Sequence, residues 1–439
     1  METELSLLQR ENGALKATVA ILEARLQELE RRLGLNSGNS GKPPSSDGLA
    51  RPVRTGSLRE STGKLSGGQV GHKGETLSMV AVADVVVEHR ASHCGGCGVS
   101  LHEVAASVVE KRQLFDIPVP VVAVTEHRAL TLCCPSCGLR NKGEFPGTVR
   151  APVQYGNRFR AAMVYLSAVQ LIPEDRLAQL SADLFGLPVA TATLGAINAG
   201  AAARLAPMQE AALAELKAAP VKHLDETGFR VGGKTRWLHV IGNQTATHYR
   251  VSEKRGNLLT GVSGVTVHDH WKPYFTMQGV THALCNAHIL RELKALIEIE
   301  KENWARHLQR LLRLLCRIND PPMEKIHRIY DRIIATGIAF HEAQKPLSTR
   351  KNKRRIGHNL LLRLKNFKEA VLRFLTNPLV PFTNNQAEQD IRMMKVKQKI
   401  SGAFRTDKGA DNFCVLRGFL STQRKSGANP FTILEQQLA

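Results

Sequence analysis

Glu388 stands one helical turn ahead of a run of cations. Arg392, Lys395 and Lys399 follow it at i+4, i+7 and i+11, and at about 3.6 residues per turn all four share one helix face. One carboxylate among bases on a single face suits a divalent metal ion beside a phosphate. Two acids far upstream could complete such a site. Asp225 ends the apolar run that holds Val221 and Leu224, and Asp269 follows the β-branched run 265–268. Each acid has a plainer reading: Asp225 a strand-end turn residue, Asp269 a loop aspartate capping a turn, and Glu388 the acid of an Asn385-x-x-Glu388 capping box. Jointly the plain readings weaken. The order strand-Asp, strand-Asp, helix-Glu is the one by which a ribonuclease-H-like core places three carboxylates around two Mg²⁺ (or Mn²⁺) ions.

The chemistry explains the choice of residue. Mg²⁺ prefers oxygen ligands and keeps waters that a substrate phosphate can displace. Two such ions about 3.5–4 Å apart stabilise both the attacking and the leaving oxygen. Water as the nucleophile cuts a phosphodiester; a 3′ hydroxyl in the same seat joins two strands. Arg392, Lys395 and Lys399 then neutralise phosphates, or else form a solvated basic face. The bulk charge agrees with a polyanionic partner: the 439 residues carry a net +21, which points to nucleic acid. No apolar run approaches the roughly 18 residues that span a bilayer, and no signal-peptide pattern opens the chain. The expected location is therefore cytoplasmic, on the nucleoid.

A second metal signal lies nearer the N-terminus. Cys94-x2-Cys97-Gly98 and Cys134-x2-Cys137-Gly138 are two knuckles whose four thiolates satisfy tetrahedral, structural Zn²⁺. Such an ion supplies about 10 kcal/mol of folding energy. A redox pair or core cysteines are the alternatives, and Cys133 and His93 leave one corner of the site open.

These residues need elements to hold them. The expected fold is multidomain α/β. Residues 1–33 carry leucines at 3-4 spacing, with Asn12 and Val19 at a positions, and read as a parallel two-stranded coiled coil that pairs two copies. Residues 34–76 are rich in Gly, Ser, Pro and Lys and read as a linker, either a spacer or a basic arm on phosphates. Residues 77–150 read as a zinc-binding β module, with β-branched runs at 85–87, 113–117 and 121–132. Residues 151–217 read as helices, with 174–185 and 190–205 arranged like a helix-turn-helix. Residues 218–400 form the catalytic domain, with strands at 221–226, 237–242, 247–252, 265–268 and 281–285, a hairpin turn at Gly232-Gly233, and a helical insertion at about 298–375. Residues 401–439 close the chain as a helical segment. The run from Arg350 to Arg355 is a solvated basic surface or a further grip on phosphate.

The motifs Asp225-Glu226-Thr227-Gly228, His268-Asp269-His270-Trp271-x-x-Tyr274, Cys285-x2-His288-x-x-Arg291 and Asn384-Asn385-x-Ala387-Glu388-x-x-Ile391-Arg392-x-x-Lys395 occur in that order. With the linker motifs at 42–47 and 67–74 and both cysteine pairs, the chain resembles the bacterial DDE transposases of the insertion sequence 66 family over nearly its whole length. The resemblance implies cleavage and strand transfer at element ends, with Asp225, Asp269 and Glu388 as metal ligands. It also implies small accessory proteins as partners beside element-end and target DNA. His288 and Arg291 are read as DNA contacts, although Cys285 could be core and His288 could orient a ligand; one Cys and one His alone do not make a metal site. The rival readings are a catalytically inactive DNA-binding repressor or co-opted protein, and a ribonuclease-H-like nuclease.

Overall fold

The computed structural model describes residues 4–36, 39–40, 77–105, 110–116, 122–318, 321–344 and 354–439. Most of the linker, with its motifs at 42–47 and 67–74, lies outside the described residues, as does the basic run 350–353. The chain divides into two compact units, Gly56–Val124 and the remainder.

Leucine spacing makes α1 (Glu4–Gly34) one continuous helix. Leu8, Leu15, Val19, Leu22, Leu26, Leu29 and Leu33 are all exposed along it, so no other part of the described residues buries this stripe.

The β module differs from expectation. Among the described residues of 77–150 the strands are β1 (Thr131–Cys133) and β2 (Arg140–Lys142), a short antiparallel hairpin. Val85, Val86, Val87, Leu114 and Val124 lie in no strand and are exposed. β-Propensity reports fit to a half-buried pleated surface, and these side chains have no such surface.

Three helices follow: α2 (Asn157–Ala168), α3 (Glu174–Phe185) and α4 (Thr191–Ala218). Gly186 ends α3 at φ 62°, where its N–H and that of Leu187 satisfy the last carbonyls, a glycine C-cap.

The sheet is built next. β3 (Val221–Val231) turns through Gly232 and Gly233 into β4 (Lys234–Gly242). Both glycines have positive φ, 53° and 78°, as a two-residue hairpin loop requires. β5 (Thr247–Ser252) pairs antiparallel with β4. β6 (Gly264–His268) then lies parallel to β3 on its other side, and β7 (Val280–Leu284) lies parallel to β6. The strand order is β5-β4-β3-β6-β7.

Helices α5 (Asn286–Glu298), α6 (Asn303–Leu315), α7 (Met323–Glu342), α8 (Ile356–Asn366) and α9 (Lys368–Thr376) share one core around Leu293, Leu308, Leu312, Tyr330 and Leu361. The chain returns to the sheet as α10 (Asn385–Ser401), followed by α11 (Asp407–Lys425) and α12 (Pro430–Gln437). Ala387, Ile391 and Met394 of α10, with Phe413 and Cys414 of α11, cover Phe229, Val231, Leu238, Val240 and Tyr249. Each large apolar side chain buried there contributes roughly 1.5–3 kcal/mol. Leu224 and Ile241 face the other way, toward Leu216 and Tyr274. No helix among the described residues is long and apolar enough to cross a membrane.

Gly418 on α11 marks how closely that helix approaches. A Cβ there would overlap the Gln209 amide and come within 3.2 Å of the Thr247 carbonyl oxygen, which is backbone and cannot yield. Gly418→Val is expected to cost about 2–3 kcal/mol by overpacking. A denaturant midpoint equal to that of the wild type would contradict this packing.

Candidate active site

Strand alternation decides which of two adjacent acids faces the site. Successive side chains on a strand point to opposite faces. Asp225 pairs across the ladder with Val240, whose side chain packs under α10 and α11. Glu226 is turned to the other face, where Arg255 grips it at 2.5 Å and the Tyr274 hydroxyl donates to its second oxygen. Arg255 in turn lies 4.1 Å above the Trp271 ring. Glu226 is thus a buried, fully engaged acid that holds the 271–274 segment against β3.

Asp269 follows β6, and the β3–β6 register fixes its level. Val221 pairs with Val265, Lys222 with Thr266 and His223 with Val267. β6 ends at His268; carried two residues past the His223–Val267 pair, the same offset brings Asp269 level with Asp225, whose carboxyl feels its charge. Asp269 Oδ1 accepts the Trp271 N–H at 2.9 Å, so the turn-capping reading holds as well.

Glu388 lies in the first turn of α10. Its Oε1 is 3.7 Å from His288 Nδ1 and 3.9 Å from Cys285 Sγ; its Oε2 is 3.6 Å from the Arg291 guanidinium. Asp225 feels the charges of the other two acids. Burial pushes the Asp225 carboxyl up to about 8, and the charges of Glu226, Asp269 and Glu388 add to that rise against a hydrogen bond from the Glu226 N–H. Burial likewise lowers His288, reinforced by Arg291 and opposed by Glu388 and Asp269.

Asn384 holds the two halves of this arrangement together. It is 1% exposed. Its Oδ1 meets His223 Nδ1 at 2.8 Å, its Nδ2 donates to the Leu224 carbonyl at 2.8 Å, and its backbone N–H reaches Cys285 Sγ at 3.1 Å. The capping-box expectation is corrected here. The N-cap is Asn384 rather than Asn385, and it makes no side-chain cap bond, because its amide is spent on β3. A second tie lies one turn on, where Asp390 pairs with Lys425 at 2.8 Å and its carbonyl accepts the Tyr249 hydroxyl.

On α10, Arg392, Lys395 and Lys399 are all exposed, and Lys395 Nζ also donates to the Gly228 carbonyl at 2.8 Å. The sequence offered no signal for the roles of Asn384, Glu226 or Arg255, since their partners lie on distant segments.

The two knuckles, each taken by itself, repeat one local structure. Cys94 N–H bonds the Val99 carbonyl and Gly98 N–H the Cys94 carbonyl, at 2.8 and 2.9 Å. Cys134, Leu139 and Gly138 make the same bonds at the same distances. Gly98 and Gly138 have φ 74° and 75°. The following backbone N–H groups point at Cys94 and Cys134 and lower both thiols. Cys133 donates its thiol to the Gly138 carbonyl at 3.3 Å.

Against known protein families, residues 152–412, more than half of the chain, match the model of the transposase IS66 family. A family of unknown function matches residues 2–78. No curated protein matches the chain.

Proposed function

We propose, on the premise that this chain belongs to the transposase IS66 family, that it cuts and joins DNA strands at element ends by metal-dependent phosphoryl transfer. The observation that carries the reading is the β3–β6 register, whose offset brings Asp269, the residue after β6, level with Asp225 on β3, beneath the helix that bears Glu388. The strand order β5-β4-β3-β6-β7, with three antiparallel strands and then two parallel ones, supports a ribonuclease-H-like core, and α6 to α9 are the helical insertion before the third acid.

The acids fit hard divalent ions. Their donors are all oxygens; the Asp225 carboxyl is raised by burial first, and the nearby charges of Glu226, Asp269 and Glu388 add to that rise, an excess of negative charge that cations would relieve. Asp225, Asp269 and Glu388 would hold Mg²⁺ or Mn²⁺, which stabilise charge on the attacking and leaving oxygens. The protein's own residues do the rest. Arg291 faces one Glu388 oxygen and fixes the carboxylate. Asn384 sets where α10 begins relative to β3. Arg392 and Lys399, exposed on the same helix, meet phosphates.

The knuckles fit structural Zn²⁺, since backbone N–H groups already favour thiolate at Cys94 and Cys134. The exposed leucine stripe of α1 supports pairing of two copies through a coiled coil. The α3–α4 pair supports end recognition.

The test is strand cleavage and joining on DNA that carries the repeats flanking this reading frame, with Mg²⁺ present. Binding without cleavage would support an inactive repressor, and cut ends never joined would support a nuclease. Binding itself is expected to fall by about 10³-fold between roughly 50 and 200 mM salt as counterions are released. A fall below tenfold would contradict the electrostatic reading of the net +21.

A further inference from the structure

We propose that Cys285 Sγ, His288 Nδ1 and Glu388 Oε1 form a separate site for one borderline-soft divalent cation of the Zn²⁺ class, with a fourth position open. This goes beyond the oxygen-only centre of Asp225 and Asp269, with which it shares Glu388.

The geometry comes first. The three ligand atoms lie within 4.8 Å of one another. A tetrahedral Zn²⁺ with sulfur at about 2.3 Å and nitrogen or oxygen at about 2.0–2.2 Å holds its ligands roughly 3.4–3.7 Å apart. His288 Nδ1 and Glu388 Oε1 are 3.7 Å apart, and Cys285 Sγ and Glu388 Oε1 are 3.9 Å apart. These two edges are within a few tenths of an ångström of that spacing, and the third, from Cys285 to His288, is no longer than 4.8 Å.

The surroundings come second. Cys285 is 1% exposed, yet it is not an idle core thiol. The Asn384 N–H reaches its sulfur at 3.1 Å, and the N–H groups of Ala287 and His288 also point at it. Such donors are aimed at Cys94 and Cys134 too, but at Cys285 burial outweighs them and pushes the thiol up to about 11, so the thiolate forms there only with a cation bound. His288 Nδ1 is buried and has no hydrogen-bond partner, so its lone pair is available to a cation beside Glu388 Oε1. One cysteine and one histidine were too few for a metal site; the fold supplies the third ligand from α10.

Donor chemistry separates the two sites. Thiolate and imidazole select Zn²⁺ over Mg²⁺, and carboxylate oxygens alone do the reverse. Two anionic ligands balance the cation, and Arg291 stays on the other Glu388 oxygen at 3.6 Å. Binding releases the Cys285 thiol proton to solvent. The bound cation fixes one Glu388 oxygen and so the direction in which the other points.

The experiment is metal content and Co²⁺ absorption of the full-length protein. Reconstituted with Co²⁺, the wild type, Cys285→Ser and His288→Ala are compared for metal bound per chain and for thiolate-to-cobalt charge-transfer absorption. Each variant is expected to lose about one equivalent, and Cys285→Ser part of that absorption, while the cation at the knuckles remains. His288→Ala carries the test if Cys285→Ser does not fold, because the His288 side chain is only partly buried. Asp225→Ala should keep the equivalent. Unchanged content and spectrum in His288→Ala would overturn the site, and so would loss of the equivalent in Asp225→Ala, which would assign the cation to the oxygen centre. Neither readout depends on DNA cleavage, so failure here and failure of the proposed function are separable.

Discussion

Asp225→Asn is expected to slow strand cleavage and joining by about a thousandfold or more, with binding of element-end DNA within about twofold of the wild type. The amide preserves the shape of the side chain and an oxygen to accept the Glu226 N–H, now at 2.9 Å. It removes one of the three charges that, on the proposed reading, would hold the cations. A thousandfold corresponds to about 4 kcal/mol of transition-state stabilisation, within the several kcal/mol that bound metal supplies. Stability should move the other way. The metal-free protein already disfavours the Asp225 carboxylate through burial and the charges of Glu226, Asp269 and Glu388. Thermal stability of Asp225→Asn without metal is therefore expected to hold or rise. Loss of cleavage together with loss of stability would point to a structural role for this acid.

Asn384→Ala is expected to have the second largest effect, through position rather than charge. The substitution strips the His223 ring and the Leu224 carbonyl of partners at 2.8 Å, in a place almost closed to water. An unsatisfied buried polar group costs about 1–3 kcal/mol, so a loss of about 2–4 kcal/mol is expected. Helix α10 is then held to β3 by Lys395 and to α11 by the Asp390–Lys425 pair further along, and its first turn, with Glu388, is free to shift. Cleavage should fall by about a hundredfold even where the protein is folded, with a higher Mg²⁺ requirement. The measurements are a melting curve and the Mg²⁺ dependence of cleavage in Asn384→Ala beside Asn384→Gln. Full cleavage at the wild-type Mg²⁺ requirement would remove Asn384 from the account.

Much of the region 218–400 was legible because its signals are local. Apolar and β-branched runs marked the five strands, and Gly232-Gly233 marked the hairpin. The offset between Asp225 and Asp269, visible as a bare spacing, proves to be the β3–β6 register itself. What sequence could not show depends on distant partners. Asn384 is a motif letter until His223 and Leu224 arrive beside it. Glu226 and Asp225 are neighbours of one type until strand alternation sends them to opposite faces. Cys285 and His288 lack a third ligand until α10 folds back. The β-branched runs near Val85 and Leu114 misled for the converse reason: propensity favours a strand only where a facing layer buries it, and these side chains are exposed.

The most direct test of the central claim is the product formed by purified wild-type protein, with Mg²⁺, on labelled DNA bearing the flanking repeats and an unlabelled target. The account predicts a labelled strand longer than the substrate, its 3′ end covalently joined to target DNA and absent with Asp225→Asn. Labelled products no longer than the input strand, or joined products that persist in Asp225→Asn, would contradict it.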